Sequence, residues 1–394
     1  MKVLYLSWIA PVEGSGATLA MRRHFVERED FEMMVATSGR FEHPTIRHFP
    51  ISRTVSLQRL SNTRLCRAVR NYEMLVKARK IPQGLLEAAR DFRPDCVFTV
   101  ADLTLSEAAR RLAMKLQVPL VSNFQDWWPR GQFYYPHERP YPRLVGGLEE
   151  RFRRLHRDSD LVFCTSEGMQ EFLGSHPNSH VLYPIPARSA PQLPPRPTTR
   201  ESGKPFRILY TGTAFGTYGR LLRELAGKLR DRVDIELRIY GAKPDWPTDV
   251  LRDAEASGLY QGFLPFNQLE SELEGADAFL AVMSFEKEME VMMRTSFTTK
   301  FLDYAAKGRP IIVWGPDYCS PVRLARREEA AITVCDADAS KVINEIDTLK
   351  TDCELSNRLA IAAHRLALTV FDPAQIHDTL RTNLLNLVSP YSGD

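Results

Sequence analysis

Long hydrophobic runs are missing from this 394-residue sequence. The apolar start, Met1-Lys-Val-Leu-Tyr-Leu-Ser-Trp-Ile9, is far too short for a signal h-region or a membrane span, so it reads as a first β-strand. Cysteine is sparse: the six residues at 66, 96, 164, 319, 335 and 353 form no CxxC pair and have no histidine at metal spacing. That excludes a disulfide framework or a zinc module and leaves reduced, mostly buried thiols of a cytosolic protein. None of the nine histidines falls in a nucleophile or metal constellation, and His24 and His156 read as structural residues on helices. The first turn holds only Gly14 and Gly16, so the full GxGxxG spacing is absent and no dinucleotide site is assigned.

What remains is ordinary in bulk and uneven in detail. A hydrophobic content of 44% over this length supports two domains with ample core. The net charge of +3 hides a contrast. Residues 1–190 carry 27 Lys+Arg against 20 Asp+Glu, about +7, and the remainder carries 25 against 29, about −4. A basic half invites anionic partners such as phospholipid headgroups, a lipid-linked phosphate or nucleic acid, although solvated charge explains an excess of this size equally well. The excess is sharpest in residues 53–80, with eight basic residues against the single acid Glu73. Leu57, Leu60, Leu65, Val69, Tyr72 and Val76 recur there at helical spacing. The segment is either a membrane-surface helix or a core helix with a solvated basic face.

Elsewhere the chain alternates strands and helices. Expected strands are 2–8, 31–37, 95–100, 118–123, 161–164 and 180–183, with helices through Leu19, Met21 and Phe25 and over 83–91, 106–116, 143–157 and 168–173. Residues 184–205 hold seven prolines and read as an extended linker. The pattern then repeats: strands 206–210, 235–240, 259–262, 276–283 and 311–314, and helices 220–230 and 266–274. Two further helix–strand units and terminal helices 352–368 and 373–388 follow, the last crossing back toward the first domain. The expected architecture is α/β, two doubly wound Rossmann-like domains facing a central cleft: 1–185, a linker 186–205, 206–372, and a helix from 373 to 394.

One stretch concentrates the chemistry. Ser296–Pro316 reads as a polar loop, a short amphipathic helix, a Gly308 stop and a buried strand. Lys300 and Asp303 lie on the polar side of that helix near its start, where free N–H groups favour a phosphate. A solvated surface lysine is the plain alternative. Asp126, in Phe124-Gln-Asp-Trp-Trp-Pro129, follows a strand end, where α/β sheets place ligands; it reads as a general base or as a capping aspartate.

Tyr210-Thr-Gly-Thr213, Asp126-Trp-Trp-Pro129, Leu161-Val-Phe-Cys-Thr-Ser-Glu-Gly168 and Thr299-Lys-Phe-Leu-Asp-Tyr-Ala-Ala-Lys-Gly-Arg-Pro310, in that register, resemble the GT-B glycosyltransferases, in particular the family 4-like group of bacterial surface-polysaccharide and glycolipid enzymes. The resemblance implies sugar transfer from a nucleotide sugar, of UDP or GDP type, held by the C-terminal domain. It implies a carbohydrate or lipid-linked acceptor on the N-terminal domain, no obligatory metal or cofactor, and no nucleic-acid partner. The cysteine usage points to a cytoplasmic enzyme, and the membrane-surface reading of residues 53–80 would place it at the inner face of a membrane. By position the resemblance implies that Lys300, beside Thr299, contacts the donor phosphates and that Asp303 holds the ribose. Gly14 and Gly16 would approach the diphosphate, Gly212 and Thr213 would line the donor loop, and Gly262-Phe263-Leu264 would face the base. Asp126 would lie near the transferred sugar.

The sequence also departs from that pattern. Thr213 and Tyr218 stand where an Arg and a Lys are common, Thr295 replaces a usual glutamate, and Asp303 replaces a more common Glu. Arg220 and Arg294 would then supply the lost charge, and Glu286, Glu288 and Glu290 would reach sugar hydroxyls. All five also read as solvated residues. Alternative functions on the same architecture are a nucleotide-sugar epimerase or phosphorylase, a non-catalytic sugar-nucleotide-binding protein, and a Rossmann oxidoreductase.

Overall fold

A computed structural model describes residues 1–14, 16–51, 59–60, 63–131, 139–186, 188–191 and 203–388. They group into two compact units. One contains Met1–Ile185, Thr295–Phe297 and the chain from Ile376; the other contains Pro186–Arg294 and Thr298–Gln375.

The first unit is built on β1 (Lys2–Leu6), β2 (Glu32–Thr37), β3 (Arg47–Pro50), β4 (Cys96–Val100), β5 (Leu120–Phe124), β6 (Leu161–Cys164) and β7 (Ser179–Val181). They form one parallel sheet in the order β3-β2-β1-β4-β5-β6-β7. Val3 to Leu6 and the whole of β4 are buried, as expected of strands covered by helices on both faces. Strand order reverses between β1 and β4, which opens a crevice at their C-terminal ends.

The second unit repeats the plan with β8 (Phe206–Thr211), β9 (Ile235–Tyr240), β10 (Tyr260–Gly262), β11 (Ala278–Val282), β12 (Ile311–Trp314) and β13 (Ile332–Val334). The order is β10-β9-β8-β11-β12-β13, again all parallel, and the reversal falls between β8 and β11.

Several expectations need correction. β3, Arg-His-Phe-Pro, is a polar edge strand with no hydrophobic run to announce it. Helix Thr248–Ala256 follows a Pro-rich turn and was not expected. Only one strand, β13, follows Trp314 among the described residues, where two were expected; the remaining chain is helical. The first helix of the second unit begins at Gly216, four residues early. Much of the 186–205 linker, and 52–58 and 61–62 of the basic segment, lie outside the described residues.

The basic segment contains a helix at Cys66–Leu75 that buries Cys66, Val69, Asn71, Glu73 and Met74, so its inward face differs from the apolar series read from the sequence. Of its apolar series, Val69 is buried, but Leu60, Leu65, Tyr72 and Val76 are exposed. Polar side chains face inward beside Cys66, Val69 and Met74. Asn71 donates to Arg67 O at 2.7 Å and accepts from Tyr141 N at 3.0 Å. Arg151, buried, donates to Met74 O and to Leu103 O, the latter at 2.6 Å. Fixed backbone partners thus outweigh the hydrophobic pattern here, because a buried polar group with good partners costs little.

The segment Thr295–Phe297 groups with the first unit although its neighbours on both sides belong to the second. Three contacts explain this: Ser166 Oγ donates to Thr295 O at 2.7 Å, Ser296 Oγ to Asp126 Oδ1 at 2.7 Å, and Tyr183 packs edge-on against Phe297.

Candidate active site

In the second unit, glycine stands at four strand ends: directly after β8 (Gly212), β9 (Gly241) and β12 (Gly315), and as the last residue of β10 (Gly262). The geometry demands it at two of them. Gly241, at φ +153°, lies so close to the Gly212 carbonyl that any Cβ would collide with it. Gly212, at φ +112°, would drive a Cβ into the Lys300 side chain. Backbone bonds from Gly212 N to Tyr240 O (2.7 Å) and from Gly241 N to Gly262 O (2.9 Å) tie the strand ends into one floor without side chains. Phe263 follows directly, with its ring 76% exposed. Leu264, next in the loop, is half-buried.

Lys300 sits above this floor on the short helix Thr299–Ala305. Its ammonium is 3.4 Å from Tyr210 Oη and lies over the Tyr210 and Tyr218 rings, at 4.9 and 5.8 Å from their centroids. Among the described residues no carboxylate pairs with it. Burial without a counter-charge pushes its pKa down to about 8. Tyr218 thus occupies a position where a second lysine would repel the first, and offers an aromatic face instead. The helix is held from below by Tyr304, which accepts from Thr211 N at 2.8 Å and stacks on Phe279 with centroids 4.4 Å apart.

Thr213 accepts through its carbonyl from Tyr210 Oη. Asp303 is half-buried on the Lys300 helix. Arg220 is exposed and forms an ion pair with Glu286, and Arg294 pairs with Glu290 at 3.4 Å, so these arginines and acids engage each other; Glu288 is exposed. Residues without a sequence signal also enter. Ser284, fully buried after β11, hydrogen-bonds with Thr217 at 2.9 Å and accepts from Glu286 N at 3.1 Å. Asp245 accepts from Gly216 N at 3.0 Å, filling the start of helix Gly216–Leu229.

Asp126 belongs to the first unit, at the C-terminal end of β5. Burial pushes its carboxyl up to about 6, against the lowering effect of the Ser296 hydrogen bond. A carboxyl poised there accepts a proton near neutral pH. It does not cap a helix: its oxygen is taken by a side-chain hydroxyl, whereas the aspartate that satisfies backbone donors is Asp102, after β4. Asp102 accepts from Leu105 N at 2.7 Å and from Trp8 N at 3.1 Å. The amide oxygen of Gln125, next to Asp126, is buried without a hydrogen-bond partner among the described residues. Trp127 is buried against Phe152 and Phe172, and Trp128 meets Trp8 edge-on at 5.9 Å. Gly14 and Gly16 also lie in the first unit, where a Cβ on Gly14 would press on Thr18 Oγ1 at 2.7 Å and Gly16 opens the first helix.

Residues 18–182 match the family model described as glycosyl transferase 4-like domain. No curated protein matches the sequence. The fold is that of HepE from Anabaena, solved in complex with UDP, at 14% identity, TM-score 0.64, and 98% and 100% coverage of the two chains. Sucrose-phosphate synthase from Thermosynechococcus elongatus matches at 11% identity, TM-score 0.64, covering 98% of each chain. MurG from Acinetobacter baumannii matches at 11% identity, TM-score 0.52, covering 97% and 99%. Residues 18–182 thus match a glycosyl transferase 4-like domain, and the chain as a whole has the fold of these solved structures.

Proposed function

We propose that this protein moves a sugar from a nucleoside diphosphate donor to an acceptor hydroxyl in polysaccharide, glycolipid or glycoconjugate synthesis. The observation that carries this reading is Lys300: a half-buried ammonium over a floor of bare backbone, with no carboxylate to neutralise it. Such a site is short of one anion. A diphosphate supplies it, and its charge grows as the glycosidic bond breaks, so the lysine stabilises the transition state more than the ground state.

In this reading Lys300 and Thr299 meet the diphosphate, with Gly212 and Thr213 allowing close approach. Asp303 accepts from the ribose hydroxyls. Gly262, Phe263 and Leu264 border the base, with the exposed Phe263 ring available for stacking. Asp126 takes the proton from the acceptor hydroxyl as that oxygen bonds to the anomeric carbon and the diphosphate leaves. The UDP complex of HepE favours a UDP-type donor over a GDP-type one. No metal or cofactor is assigned a part, since lysine and backbone supply the positive charge. The six unbridged cysteines fit a reducing, cytoplasmic compartment.

The test is calorimetric titration of UDP and GDP into wild type and Lys300→Ala, with EDTA present. Loss of one charge-assisted contact, about 1.5–3 kcal/mol, weakens the preferred nucleotide roughly ten- to hundredfold. Equal affinity in the two proteins overturns the assignment. Hydrolysis or epimerisation of a UDP-sugar without any acceptor would instead identify the rival enzyme class.

A further inference from the structure

The first unit carries a pocket that the donor site does not use. It has a volume of about 470 Å³, within the range of small-molecule sites. It opens beside the C-terminal ends of β1 and β3 and is walled by Trp8, Phe49, Ile51, Met74, Ile81 and Leu105. This apolar lining is unusual for an acceptor site meant only for polyhydroxylated sugar. Its charged groups are Arg70 and Glu73, paired at 3.5 Å, and two lysines, Lys77 and Lys80, with Ser38, Gln83 and Thr104 as neutral polar lining. Among the described residues neither lysine pairs with an acid, so the pocket's charge is net positive.

The walls are held in place. Asp102 fixes Trp8 and Leu105 through their backbone N–H groups, and Arg151 holds the Met74 carbonyl. Trp8, 42% exposed, lines the pocket and makes a T-shaped contact with Trp128, two residues from Asp126. One aromatic side chain therefore joins the pocket to the Asp126 segment within a single unit.

The surroundings continue the same chemistry. Lys80 and Ile81 also line a neighbouring surface depression with Arg79, Arg110, Arg111, Met114 and Lys115. The outward face of helix Cys66–Leu75 bears exposed Tyr72 and is flanked by exposed Leu65 and Val76, and Met114 is 65% exposed. Arg110 and Arg111 are paired with Glu107, and Arg110 also with Asp158. Lys80 and Lys115 adjoin these exposed apolar side chains without an acid partner among the described residues, an arrangement that suits an anionic amphiphile.

We propose that this pocket binds the acceptor as an amphiphilic phosphate: the apolar chain lies against Phe49, Ile51, Met74 and Ile81, and the phosphate is met by Lys77 and Lys80. The proposal rests on the glycosyltransferase reading for the word acceptor, but not for the binding itself. An apolar chain gains by leaving water for such a lining, and the phosphate gains two charge-assisted contacts. The amphiphile's hydroxyl-bearing end then lies on the Trp8 side.

The probe is farnesyl phosphate, titrated into the full chain by calorimetry, with dimethylallyl phosphate, farnesol and inorganic phosphate as comparison ligands. Farnesyl phosphate should bind at least tenfold more tightly than each of the others, because each lacks the full chain or the charge. Lys77→Glu with Lys80→Glu, both outside the core, should cut farnesyl phosphate affinity roughly a hundredfold, leave farnesol unchanged, and leave UDP unchanged. Retained farnesyl phosphate binding in that double variant overturns the proposal, as does wild-type binding no tighter than inorganic phosphate. The ligand series requires no variant, so it decides even if a substitution disturbs folding. Wild type that binds farnesyl phosphate but not UDP would keep this pocket and sink the donor assignment; the converse would do the opposite.

Discussion

The two units share one scaffold and differ at the ends of their strands. In the first, long side chains stand there: Trp8 after β1, Asp102 after β4, Gln125 and Asp126 after β5. In the second, Gly212, Gly241, Gly262 and Gly315 expose main chain, and one lysine rises above it. Bare backbone admits a phosphate and a flat base to N–H distance. Side chains of varied chemistry suit an acceptor and a proton transfer. The doubly wound fold places both crevices, and in the proposed function the residues at the strand ends divide the labour.

Substitutions can separate the halves of that comparison. The largest effect is expected for Asp126→Asn, which keeps shape but cannot accept the proton. Loss of a positioned base lowers turnover by roughly 10² to 10⁴. Steady-state rates should fall while UDP affinity, measured on the same sample, holds, because Lys300 and the glycine floor belong to the other unit. Near-normal turnover would move the base elsewhere.

Gly212→Ala tests the floor. The added Cβ pushes into Lys300 and takes a backbone angle that suits glycine. Nucleotide affinity should drop about ten- to hundredfold, the effect of losing the lysine contact itself. A Gly146→Ala control, where a Cβ meets nothing within 4 Å, should change neither affinity nor turnover.

Proton linkage offers a subtler probe of the second unit. Free Lys300 loses its proton near pH 8, and a bound diphosphate favours the charged form. UDP affinity should therefore decline as pH rises past 8, by up to about tenfold per pH unit for one proton. The ligand-free protein shows the opposite trend in this group. An unfolded lysine keeps its proton to about pH 10.4, so between these values the unfolded state binds more protons and the contribution to stability rises with pH. A pH-independent UDP affinity between 7.5 and 9.5 would remove Lys300 from the phosphate.

The smallest expected effect belongs to the first unit, where the helix Pro373–Val388 is tied down. His24 Nδ1 lies 3.2 Å from His377 Nδ1, and His377 Nε2 is 2.6 Å from Asp30. Burial, then the neighbouring His377, Arg28 and Arg23, hold His24 down to about 3. Its contribution is complete above the unfolded value near 6.5 and is lost as pH falls toward 3, at about 1.4 kcal/mol per pH unit for one proton. Urea melts at pH 7, 6 and 5 should show this slope, flattened in His24→Leu. Identical slopes in the two proteins would deny His24 a part.

Much of the fold was legible because its signals are local. Helices Ser106–Leu116 and Phe266–Glu274 and strands Leu161–Cys164 and Ile311–Trp314 fall where periodicity and breakers place them. β3 was not, because an edge strand needs no hydrophobic run, and helix Cys66–Leu75 misled because its polar side chains have buried partners. Of the site, Lys300, Gly212 and Asp126 stood out beside strand ends and in motifs. Gly241 and Asp102 did not, and Tyr210 and Ser296 entered only as members of motifs, since each matters through a residue far away in the chain.

The sequence by itself determined the alternation of strands and helices, the two-part organisation and the residues bearing charge at strand ends, because propensity and hydrophobic period act over a few neighbours. Only the tertiary structure decided what those residues became. Lys300 lost solvent without gaining a counter-charge, Asp126 met Ser296 from 170 positions away, and Leu60, Leu65, Tyr72 and Val76 were left exposed while Val69 was buried. Each outcome depends on which distant group fills the space beside a side chain, and burial and charge act through space rather than along the chain.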